Sequence, residues 1–171
     1  MHELKDKVTI LSGYKIKASG VFDFEELYQE LERWFKHNGY EWKETTYRNV
    51  DQPDGGKMVE LKWECYKKPA GEDYLRYQIS IHWQAFLKEV EVNVENIKKK
   101  MNKGSVEMKF EVTILKSVKV WEKMLFGKWM GAFYEKILIR DRLDKHEEMI
   151  FEEANALFSE IRAFFQIYGA S

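Results

Sequence analysis

One cysteine, Cys65, stands among 171 residues, which excludes an intramolecular disulfide and any multi-cysteine zinc site. Two prolines and ten glycines are too few to form a linker, and no low-complexity stretch divides the chain. A run of about 20 apolar residues, the length needed to span a bilayer, is also missing. The most apolar region, Val118 to Ile139, is interrupted by Lys119, Glu122, Lys123, Lys128, Glu135 and Lys136. The first residues, Met1-His2-Glu3-Leu4-Lys5-Asp6-Lys7, are charged and have no signal-peptide core behind them, so the chain reads as cytoplasmic. Neither sign of charge prevails. Twenty-eight basic and 29 acidic residues leave a net charge of -1, and no global field draws in nucleic acid.

What is present is globular. Hydrophobic residues make up 44% of the chain and aromatic residues 15%, enough to bury a sizeable core in one domain over residues 1–171. From Val8 to Ala18 apolar and polar residues alternate, with a phase shift near Gly13 that suits a β-bulge, and Gly20 is expected to end the strand. Asp23 and Glu26 have capping-box-like spacing. Behind them Phe24, Leu27, Tyr28, Leu31, Trp34 and Phe35 recur at helical spacing, and Gly39 stands where a C-terminal glycine belongs.

The middle of the chain alternates with period two. Trp42 to Val50 is a modest strand closed by the turn 51–56. Val59, Leu61, Trp63 and Cys65 form one face of the next, and Leu75, Tyr77, Ile79, Ile81 and Trp83 one face of another. Val90, Val92 and Val94 predict a further short strand, Lys98 to Gly104 a turn, and Val106, Met108, Phe110, Val112 and Ile114 the last clear strand. Such alternation implies a sheet with one side buried, on which Val59, Ile79, Val92 and Phe110 are expected together. Leu143, Ile150, Ala154, Leu157, Ile161, Phe164 and Tyr168 line one side of a final helix over about 143–167. Residues 133–140 fit either a closing strand or a helix.

The expected fold class is therefore α+β: a curved antiparallel sheet of five to seven strands, its apolar face covered by an N-terminal helix and a long C-terminal helix. This element order resembles the helix-grip fold of START-like and birch-allergen-like proteins, whose sheet wraps a long last helix. One helix follows the first strand here, where many relatives have two. Members of that group commonly hold apolar ligands between sheet and helix, and what the resemblance implies here is a cavity in that place, not a ligand.

Groups with catalytic potential find little support. Cys65 shares an apolar strand face and reads as an inert small hydrophobe. His2, His37, His82 and His146 stand at no chelating spacing and are expected at the surface, so no metal or cofactor is assigned. Phosphate-cradling and nucleophile-elbow glycine motifs are absent, and no catalytic residue is named. Glu60, Glu64, Glu89, Glu91, Glu95, Glu107 and Glu111 are assigned to the solvated sheet face.

The leading expectation is a non-catalytic soluble domain binding a lipid-like or other hydrophobic small molecule. Trp63, Tyr77, Ile79, Trp83, Phe110, Trp129, Phe158 and Phe165 are the candidate lining, chosen by face. Two alternatives stand beside it. One is a protein-interaction or homodimerisation domain using the aromatic segment 121–134. The other is an enzyme with a START-like cavity.

Overall fold

The computed structural model describes residues 6–72, 75–116 and 140–171. In chain order these form β1 (Asp6–Phe22), α1 (Phe24–His37), β2 (Glu41–Asp51), β3 (Lys57–Lys67), β4 (Leu75–Val94), β5 (Ile97–Lys116) and α2 (Arg140–Ile167). The strands make one antiparallel sheet in the order β1-β5-β4-β3-β2, so the first strand closes against the last and the others follow as a meander. The class is α+β, with five strands and two described helices. Segment 121–134, with Trp129, lies outside the described residues, as does the undecided stretch up to residue 139.

Helix α1 forms where its signals stand. The Asp23 carboxylate accepts a hydrogen bond from the Glu26 amide at 3.0 Å, satisfying one donor of the first turn, and Gly39 takes φ +80° just past the end. Leu27, Leu31 and Phe35 are its buried stripe. In α2 the buried stripe runs through Ile150, Ala154, Leu157, Phe158, Ile161, Phe164 and Phe165. Both helices lie on one face of the sheet, α1 against the tryptophans of β2–β4 and α2 against the rings of β1 and β5.

Directly opposed pairs build the apolar face: Leu61 with Trp83, Cys65 with Ile79, Ile81 with Phe110, and Ala85 with Val106. Strand β1 carries two register shifts that leave Ile10 and Gly13 unpaired, and Gly13 at φ +72° is the expected bulge. Gly20 does not end β1, which runs on to Phe22. A Cβ at Gly20 would lie 3.1 Å from that of Ala170, so the glycine admits the tail, where Ser19 and Ser171 exchange backbone hydrogen bonds.

The largest departure concerns Val90 to Gly104. The expected short strand is the continuation of β4, and the expected lysine turn is the beginning of β5. Lys98, Lys99 and Lys100 pair with Asn93, Val92 and Glu91. The chain reverses instead at Glu95 and Asn96, whose φ values of 51° and 65° fit a two-residue primed turn. Because β4 keeps one register from Leu75 to Val94, its odd-numbered residues face the helices and its even-numbered ones face away. Val92 therefore lies on the side opposite Val59, Ile79 and Phe110. The hydrophobic pattern itself changes phase between Leu87 and Val90.

Candidate functional site

Seven of the eight sequence-chosen residues fall among the described ones, and all seven are buried in the core: Trp63, Tyr77, Ile79, Trp83, Phe110, Phe158 and Phe165. Five of them fall in two aromatic groups, while Ile79 lies between neighbouring strands and Tyr77 meets His146. Beneath α2, Phe158 stacks on Tyr14 at 4.4 Å and meets Phe110 at 4.8 Å, while Phe165 meets Phe22 edge-on at 5.4 Å. Beneath α1, Trp63 lies 4.6 Å from Trp83 and 5.2 Å from Trp42, and Tyr28 closes over all three.

The second group carries several polar atoms. Glu44 accepts hydrogen bonds from the Tyr28 hydroxyl at 2.8 Å and the Trp63 indole at 2.9 Å. Burial, then the Glu44 carboxylate, holds the Tyr28 phenol well above its ordinary pKa. The indole N–H groups of Trp42 and Trp83 are buried and have no hydrogen-bond partner among the described residues. Leaving such a donor unsatisfied costs roughly 1–3 kcal/mol, so two in one aromatic layer call for a reason.

A groove of about 510 Å³ runs between α1 and α2, and none of the seven sequence-chosen residues lines it. Its floor is Leu27, Leu31, Ile161 and Phe164, all of them also core residues, with Trp34 and Ile167 on its sides. Glu26, Glu30, Arg33 and Glu160 form a charged rim. The volume is within the range of small-molecule sites.

Histidine 146 is not at the surface. It is 8% exposed and continues the buried stripe of α2 by one turn, four residues before Ile150. That spacing was the sequence signal for its burial. The Tyr77 hydroxyl lies 2.5 Å from His146 Nδ1, and Nε2 lies 3.4 Å from Glu72 Oε1. With Nε2 protonated, the imidazole donates to Glu72 and accepts from Tyr77, giving a carboxylate–imidazole–phenol relay. One turn further along α2 from Ile150, Glu153 accepts from the Tyr40 hydroxyl and the Lys67 ammonium, each at 2.5 Å. Burial, followed by the charges of Glu153 and Glu72, pushes the Tyr77 phenol up to about 12.

The remaining candidates keep their expected character. Burial raises the Cys65 thiol to about 12, far from a reactive thiolate. His37 is exposed, and half-buried His82 pairs with Glu60 at 2.8 Å on the outer sheet face. Among the described residues no three His, Cys, Asp or Glu side chains are grouped to hold a metal ion, and no helix is long and apolar enough to cross a membrane. Comparison with protein-family models, curated proteins and solved structures gave no match.

Proposed function

We propose that this domain binds an apolar small molecule bearing one hydrogen-bond acceptor, held over the tryptophan layer beneath the helices. The observation that carries this reading is the indole N–H of Trp83, which has no partner among the described residues although the side chain is 0% exposed. A carbonyl or ether oxygen of a ligand would satisfy it, and the surrounding rings would cover the apolar remainder. The groove between α1 and α2 supplies the approach, since Leu27 and Leu31 belong both to its floor and to the core. The likeness to the helix-grip group is supported by the closure of β1 on β5 and by the long last helix on the sheet's apolar side.

Native mass spectrometry of the purified protein should reveal a co-purifying molecule of low polarity, and Trp83→Phe should lose it. A Trp63→Phe variant, whose indole already has Glu44, should retain more of it. Ligand-free spectra from every preparation would end this reading, as would equal retention by both variants.

A second reading, catalysis, draws on the Tyr77–His146–Glu72 relay, which can carry a proton along its length. Its check is the NMR chemical shift of the His146 ring. A ligand that reaches Tyr77 moves that signal, whereas one confined to the tryptophan layer leaves it alone.

A further inference from the structure

The outer face of the sheet is charged over most of its area but changes character at one end. Beyond Leu87 strand β4 has no β3 partner, and from Met101 back to the turn β5 has no β1 partner, so the last residues of both form a two-stranded arm. Seven residues of strand extend roughly 23 Å. Every residue from Asn93 to Lys100 is exposed.

The phase change between Leu87 and Val90 gives this arm an apolar side facing away from the core. Met58 and Phe86 are directly opposed across β3 and β4, and Val90, Val92, Val94 and Ile97 continue the surface to the tip. Exposure is high at Phe86 (51%), Val94 (45%) and Ile97 (70%), while Met58, Val90 and Val92 are half-buried and Met101, opposite Val90, is buried. An isolated two-stranded ribbon is marginal in water, and aliphatic side chains at its tip give water nothing in return.

The charges on that same side have one sign. Lys88 is directly opposite Lys103, and Lys99 is opposite Val92. Among the described residues the acidic groups near that side are Asp23, paired with Lys99 at 3.4 Å, Glu60 with His82, Glu107 with Lys15 and Lys17, and Glu95, exposed in the turn itself. Glu89 and Glu91 lie on the arm's other side, where Lys100 pairs with Glu89 at 3.2 Å.

The geometry points to an anionic lipid surface as the occupant of this face, with Val94 and Ile97 entering the headgroup boundary and Lys88 and Lys103 meeting lipid phosphates. Apolar area and lysine charge then act in the same direction. A second copy docking face to face would set lysines against lysines. A protein partner would call for aromatic and arginine anchors at the patch centre, whereas Phe86 lies at the base of the arm and exposure peaks at an aliphatic tip.

Flotation of the full chain with phosphatidylcholine vesicles, with and without phosphatidylserine, tests this at low and high salt. Binding is expected only with phosphatidylserine, weakened by salt, and reduced at least about tenfold in the double variant Val94→Asp/Ile97→Asp. Lys88→Glu/Lys103→Glu should lose the phosphatidylserine response with the apolar tip intact, which keeps the test decisive if the first variant misfolds. Absence of binding at low salt overturns the assignment, as does full binding by the aspartate variant. A concentration-dependent dimer disrupted by that variant, or an acidic protein captured through the arm while vesicles stay free, overturns it equally.

Discussion

Glu44 holds two aromatic donors at once, so its loss reaches further than a single hydrogen bond. Replacing it with alanine leaves the Trp63 indole and the Tyr28 hydroxyl without their acceptor. Partly buried donors left this way cost roughly 1–3 kcal/mol, and urea titration should place Glu44→Ala within or above that range. A change below about 0.5 kcal/mol would mean that water reaches both donors freely. Cys65 offers a complementary measurement. Because burial raises its thiol to about 12, a disulfide reagent at pH 8 should react only as fast as the protein opens. Rapid labelling of the folded chain would contradict that burial. Such residue-level details were legible in part. Period-two alternation put Cys65, Trp63 and Trp83 on one face; His146 was expected at the surface, although its place four residues before Ile150 continues the buried stripe of α2. Whether an indole finds an acceptor depends on which strand residue stands opposite, and no periodicity encodes that.

At the scale of elements, α1 was legible because its cap, apolar stripe and terminal glycine all agree with one helix. The β4–β5 hairpin was not, for two physical reasons. Its alternation changes phase at Leu87, which mimics a strand boundary, and its true turn uses Glu95 and Asn96, while the lysine-rich run ending in Gly104 resembles a loop. Gly104 has another reason to be glycine: a Cβ there would fall 1.8 Å from the Phe86 carbonyl oxygen. Gly104→Ala must therefore move backbone and should lower stability by at least about 2 kcal/mol, read from the denaturation midpoint. An unchanged midpoint would mean that the two strands do not approach this closely.

For the molecule as a whole, four phenols link separate elements, Tyr28 with Glu44, Tyr40 with Glu153, Tyr77 with His146 and Tyr168 with Glu26, while Tyr66 bonds Glu64 within β3. Tyr28, Tyr40, Tyr66, Tyr77 and Tyr168 are all held above their ordinary pKa, first by burial and, for all but Tyr77, next by a carboxylate hydrogen bond. In the unfolded chain these groups ionise near pH 10, so above that pH unfolding releases protons that folding retains. Their contribution is complete below about pH 9 and should fall steadily as pH rises from about 10 to about 12. Urea titrations across that range should show this decline, and Tyr77→Phe should make it shallower; a flat profile to pH 12 would refute the coupling. The closure of β1 on β5 has a different consequence. A chain that has already assembled β2 to β5 offers an open edge that any copy of β1 can occupy, its own or a neighbour's. Refolding at high protein concentration should then yield interlocked, strand-exchanged pairs, whereas dilution lets each chain complete itself.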